Sequence, residues 1–101
     1  MAYRIITLKS AAEDISEAYN YYEGLQTGLG DRFLAELIKR YNEISIHPRY
    51  YGFIDDQKII RDVKLKKFPY LVVYEITDEF VVINSVHNTY RNPNKRLRNS
   101  T

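Results

Sequence analysis

Between residues 59 and 86 the chain holds three apolar, β-branched runs separated by links of only three residues. The runs are Ile59 to Lys66, Tyr70 to Ile76 and Phe80 to Val86; the links are Lys67-Phe68-Pro69 and Thr77-Asp78-Glu79. Parallel strands need a crossover of about a dozen residues or more, so links this short make the neighbours antiparallel. The last run is apolar on both of its faces, with Phe80, Val82 and Val86 on one side and Val81 and Ile83 on the other. Both sides of the resulting sheet therefore demand cover. Helices supply it on one side; loops, the tail or a partner's strand or helix must supply it on the other.

The first half of the chain provides those helices. Tyr3 to Leu8 is a short isoleucine-rich strand. Ser10-Ala11-Ala12-Glu13 has the spacing of a capping box, and Ala11, Ile15, Ala18, Tyr22 and Leu25 follow on one helical stripe. Glu13, Asp14 and Glu17 lie off that stripe, in the turns where the helix dipole favours negative charge. Gly28-Leu29-Gly30 interrupts the pattern. Asp31 then caps a second helix running to about Ile46, with Phe33, Leu37, Tyr41 and Ile44 as its apolar stripe. His47-Pro48 ends it, because a residue before proline is pushed out of the helical region. The connection is short enough to make the two helices an antiparallel hairpin. The expectation is an α+β fold of order β-α-α-β-β-β: an N-terminal strand, an α-helical hairpin, and a three-strand antiparallel meander. In a chain of 101 residues this is one domain over residues 1–91. Residues 92–101 read as a polar, basic C-terminal tail.

Several kinds of chemistry are excluded. Cysteine is absent, which removes disulfides, thiolate metal sites and cysteine nucleophiles and suits a reducing cytoplasm. Two histidines forty residues apart do not make a metal-ligand set, and four scattered glycines do not build a phosphate loop. No metal and no cofactor are expected. The longest apolar runs are too short to span a bilayer, so neither export nor a membrane is expected.

Charge is segregated along the chain. Residues 1–57 carry six Lys/Arg against nine Asp/Glu, while residues 58–101 carry nine against four, giving net charges of −3 and +5. An anionic partner for the second half explains this, as does a solvated basic face. The ten tyrosines, apolar in body and polar at the tip, suit half-buried and partner-contacting surfaces.

Arg61, Lys64, Lys66 and Lys67 lie on or beside one strand, and His87, Tyr90 and Arg91 at or just beyond the end of another. Arg61 shares strand parity with Val63 and Leu65, so its guanidinium emerges among apolar neighbours and needs an anion. A salt bridge to an acid such as Glu75 and a bound phosphate both meet that need. Cleavage of RNA by its own 2′-hydroxyl requires a base near neutrality, a cation on the phosphate and an acid for the leaving oxygen. His87, Arg61 or Arg91, and Tyr90 or a lysine fit those roles if they converge on the open face of the sheet. A histidine at a strand end is also commonly structural. Lys64, Lys66, Lys67, Lys95, Arg96 and Arg98 are the candidate nucleic-acid contacts.

In order along the chain stand Ala12-Glu13-Asp14-Ile15, Tyr21-Tyr22-Glu23, Gly28-Leu29-Gly30-Asp31-Arg32-Phe33-Leu34, Ile60-Arg61, Phe68-Pro69-Tyr70, Val73-Tyr74-Glu75-Ile76, Val86-His87 and Arg91-Asn92-Pro93. Together they resemble the RelE/ParE toxin superfamily over nearly the whole chain, and most of all its plasmid-stabilisation branch. The resemblance implies a four-stranded antiparallel sheet with a helical hairpin. It also implies the toxin half of a type II toxin–antitoxin module, which arrests growth until a cognate antitoxin, often acidic in its tail, wraps it. RelE-like members are mRNA interferases that cut messages on the ribosome, and Arg61, His87, Tyr90 and Arg91 are the positions that match such a site. ParE-like members inhibit DNA gyrase without a nuclease site. The acidic helical hairpin leans toward ParE, as does the incomplete set of RelE lysines; the His87, Tyr90 and Arg91 cluster leans toward RelE. Ribosome-dependent mRNA cleavage is placed first, gyrase inhibition second, and a non-toxic antitoxin-binding relative third.

Overall fold

A computed structural model describes residues 2–90. Strand β1 (Arg4–Thr7) leads into helices α1 (Lys9–Leu25) and α2 (Leu29–Ile46), and strands β2 (Ile60–Lys64), β3 (Tyr70–Thr77) and β4 (Phe80–Asn88) follow. The strand order across the sheet is β1-β4-β3-β2. The short links act as expected: β2 with β3 and β3 with β4 are antiparallel. The long way round from β1 imposes no such direction, and β1 runs parallel to β4, pairing Arg4 with Phe80 and Thr7 with Ile83. The sheet is therefore mixed, not wholly antiparallel.

The helical hairpin covers one face of the sheet. Ala11, Ala18 and Tyr22 of α1 and Phe33, Leu37 and Ile44 of α2 pack on Val63, Tyr70, Val72, Tyr74, Val81, Ile83 and Val86. Tyr22, Phe33, Phe68 and Tyr70 form an aromatic cluster with centroids 4.9 to 6.0 Å apart, mostly edge to face. Burial at this cluster pushes the Tyr22 phenol up to about 12, with Tyr70 and Tyr21 adding to the effect.

Both helix starts differ from the sequence expectation. Helix α1 begins at Lys9 after Leu8, with no side-chain cap. Instead of capping, Ser10 Oγ donates to the Asn84 carbonyl at 2.9 Å. Helix α2 begins two residues before Asp31, after Gly28, whose φ of 90° is left-handed and suits glycine. Glu23 closes the turn: its two carboxylate oxygens accept from the Gly28 and Gly30 amides, each at 2.9 Å. A carboxylate from the preceding helix thus satisfies the orphan donors at an N-terminus where negative charge is favoured. Asp31 remains in that first turn and accepts from the Tyr19 hydroxyl.

A β-bulge alters the face assignment in β4. Tyr74 pairs with Ile83 but Val73 pairs with Ser85, which leaves Asn84 as the extra residue. Parity shifts there, and Val86 joins Val81 and Ile83 beneath the helices instead of sharing a side with Phe80 and Val82. Helix α1 grips this bulge. Ser10 holds the Asn84 carbonyl, and the buried carboxylate of Asp14 accepts from the Val86 amide at 3.0 Å.

Candidate functional site

Cross-strand partners share a face, so the register assigns each candidate residue to a side. Arg61 pairs with Tyr74, which pairs with Ile83, and the latter two lie in the core. Lys64 pairs with Leu71, and Leu71 with His87. That row, together with Asp62, Val73 and Ser85 and with Ile60, Glu75 and Val82, forms the face turned away from the helices. Arg61 and His87 therefore lie on opposite sides of the sheet. The convergence on the open face that the sequence suggested does not occur: the extra residue at Asn84 turns His87 to the side of Lys64, while Arg61, of opposite strand parity, faces the helices.

The anion sought for Arg61 is supplied by backbone dipoles. Its Nη1 donates to the Tyr51 carbonyl at 2.6 Å and the Arg49 carbonyl at 3.2 Å, and its guanidinium lies 3.9 Å from the Phe53 ring centroid. Glu75 faces the other side of the sheet, so no salt bridge joins the two. Around this arginine the loop of residues 47–59 folds onto β2. Phe53 bridges to Arg61, Ile54 donates to the Ile60 carbonyl, and Asp55 Oδ1 accepts from the Ile59 and Ile60 amides. Tyr74 pins the loop from beneath, its hydroxyl donating to the Pro48 carbonyl at 2.6 Å; burial raises its pKa well above the ordinary tyrosine value, and the nearby Arg61 charge offsets this only in part.

The open face is apolar with polar insertions. Val73, Ser85 and His87 are buried, Leu71, Phe80 and Val82 are half-buried, and Ile6 on β1 is exposed. Lys64 is exposed two strands away from His87, roughly 10 Å at ordinary strand spacing, with Leu71 between them. Tyr90 stands beyond the end of β4 and is 82% exposed. Lys66 and Lys67 are exposed in the β2–β3 link, on the side of α2. Arg91, Lys95, Arg96 and Arg98 lie outside the described residues, as does the tail at 92–101. Among the described residues no group of three or more His, Asp or Glu side chains is placed to hold a metal ion. None of their helices is long and apolar enough to cross a membrane.

Asp14 was not singled out by its chemistry in the sequence, yet it is the buried acid that joins α1 to the bulge. Its position carried a usable signal. Asp14 stands three residues after Ala11 and four before Ala18, at the border of the apolar stripe and not on the solvent side.

Comparison with known proteins agrees with this architecture. The family model described as the ParE toxin of a type II toxin–antitoxin system, parDE, matches residues 5–93. Among solved structures, a toxin–antitoxin protein of the chromosomal ParDE system from P. aeruginosa aligns over 86% of this chain and 96% of its own, with a TM-score of 0.74 at 12% identity. A mutant of the E. coli toxin RelE in the free state aligns over 88% of this chain and 85% of its own, with a TM-score of 0.60 at 21% identity. A chain of the RelBE2 toxin–antitoxin complex from Mycobacterium tuberculosis aligns over 87% of this chain and 99% of its own, with a TM-score of 0.62 at 19% identity. At such identities the structural likeness speaks to the fold. No curated protein matches by sequence.

Proposed function

Because the chain belongs to the ParE toxin family of type II toxin–antitoxin systems, we propose that this toxin arrests growth by inhibiting DNA gyrase through protein contact, without cutting RNA. The observation that carries this reading is the separation of Arg61 from His87 by the thickness of the sheet. In-line cleavage at one phosphate needs base, cation and acid within about 3 Å of the reacting atoms. Arg61 is held to two backbone carbonyls on the helix side, and His87 is buried on the other. Around His87 the open face offers, among the described residues, one lysine, Lys64, against the carboxylates of Asp62 and Glu75, a poor setting for a pentavalent phosphate.

The partner is an antitoxin, and the open face is the surface it covers. Leu71, Val82 and Phe80, each half-buried, form an apolar strip on a sheet whose other side is already filled. An extended or helical segment laid along that strip supplies the missing cover, and its acidic residues meet the basic second half of the chain.

Two assays on the purified toxin separate the activities. Supercoiling by gyrase is expected to fall as toxin is added and to recover with antitoxin, while primer extension on a translated message shows no toxin-dependent ends. Codon-positioned cuts that disappear in both Arg61→Ala and His87→Ala, with supercoiling untouched, would overturn the reading and restore RNA cleavage.

A further inference from the structure

We propose that the corner where α2 meets the β2–β3 link is a docking surface for the phosphate backbone of duplex DNA. Two adjoining hollows lie there. The smaller, of about 90 Å³, is lined by Glu36, Lys39, Arg40, Glu43, Lys66 and Lys67 and by no uncharged residue. The second, of about 270 Å³, shares Glu36 and Lys67 with it and adds Arg32 together with Leu29, Ala35 and Phe68. Five cations thus border one continuous surface against two carboxylates.

Both carboxylates are already engaged. Glu36 pairs with Lys39 at 3.6 Å, and Glu43 with Arg40 at 2.9 Å. Arg40 is further fixed by donating from Nε to the Lys64 carbonyl. Arg32, Lys66 and Lys67 are exposed, and among the described residues none of the three has a carboxylate partner. Arg32 and Lys39 are seven residues apart on one helix, about 10 Å at 1.5 Å per residue, and the link lysines stand beside them. This is a row of positive charge built from two separate elements.

The lining selects the partner. The smaller hollow, bordered wholly by charges, gives a peptide side chain no apolar anchor, and the aromatic ring at the larger one, Phe68, is buried, so a splayed base finds nothing to stack on and single strands fit poorly. A duplex backbone needs neither, since it presents a dense line of phosphates and is held by charge alone. Preferring DNA to RNA as that duplex rests on the gyrase reading; the electrostatic argument does not.

The test uses the full-length toxin without gyrase: anisotropy of a labelled 20-base-pair mixed-sequence DNA duplex, titrated at salt concentrations from 50 to 200 mM. Each phosphate contact contributes roughly 0.9 to the slope of log affinity against log salt. The triple variant Arg32→Gln/Lys66→Gln/Lys67→Gln is expected to have a slope shallower by about 2.7, so that across this fourfold range the parent weakens about 40-fold more than the variant. Lys58→Gln, in the loop before β2, is expected to keep the parent's slope. Circular dichroism confirms that the variants are folded. A triple variant with the parent's slope, an equal change in Lys58→Gln, no salt-dependent binding, or tighter binding of duplex RNA or poly-glutamate would each overturn the proposal. Failure to inhibit gyrase would remove the preceding reading and leave this measurement standing.

Discussion

Replacing Arg61 with alanine separates a residue that builds the fold from one that performs chemistry. Its Nη1 makes one short and one longer charged hydrogen bond to carbonyls of the 47–59 loop, and its plane lies against Phe53. A hydrogen bond to a charged group contributes roughly 1.5–3 kcal/mol, and an exposed cation–π contact roughly 0.5–1 kcal/mol. The two bonds share one nitrogen, so they do not add in full, and the expected loss is about 2–3 kcal/mol. With a urea slope of about 1.5 kcal/mol per molar for a domain of this size, the unfolding midpoint should fall by about 1.3–2 M. Arg61→Lys retains one charged donor but not the planar stack, and should lose about half as much. In a double-mutant cycle with Phe53→Leu, the coupling should be about 0.5–1 kcal/mol. An Arg61→Ala protein with an unchanged midpoint and no growth arrest would refute this reasoning, since the arginine would then be acting on the target and not on the loop.

Three further outcomes follow from the core and the hairpin. Gly30→Ala should destabilise by about 1–3 kcal/mol in thermal or urea unfolding, although alanine is about 1 kcal/mol the better helix former, because its Cβ would sit 2.8 Å from Tyr19 Cε2 and 2.9 Å from the tethered Glu23 Oε1. Asp14→Ala orphans the buried Val86 amide and should cost about 1–3 kcal/mol, with Asp14→Asn, which keeps an acceptor, milder in the same assay. Tyr22 and Tyr74 hold their protons more tightly folded than unfolded, so as pH rises the unfolded chain ionises first. Their contribution is fully present below about pH 10 and declines above it, for Tyr22 until about pH 12. Urea midpoints measured from pH 9 to 11.5 should drop less steeply in Tyr22→Phe and Tyr74→Phe than in the parent.

Element order and the helix-facing core were legible because period and link length are local properties. A 3.6-residue stripe or a three-residue turn leaves the chain few options, and Ala18, Tyr22, Phe33, Leu37 and Ile44 lie in the core as their spacing requires. The superfamily was equally legible, since its pieces recur in order along the chain. Side-chain hydrogen bonds at the helix ends were not. Ser10 has cap spacing, but the Asn84 carbonyl, seventy-four residues away in sequence, comes within its reach. Glu23 gave no sign in sequence that it would close the turn into α2.

The candidate site shows the same division more sharply. Sequence placed Arg61, Lys64, Lys66 and Lys67 on or beside one strand and His87 at the end of another that does not pair with it directly, and strand parity already assigned Arg61 to the side of Val63 and Leu65. Whether His87 shared that side depended on the single extra residue at Asn84, because one inserted residue exchanges the two faces of everything beyond it. A bulge is fixed by its cross-strand partners and by the α1 side chains that hold it, none of them local to β4. By itself the sequence thus determined the elements, their order and the kind of protein. Only the tertiary structure decided which charged side chains meet, because a hydrogen bond or a β-register is a relation between distant segments that no local pattern encodes.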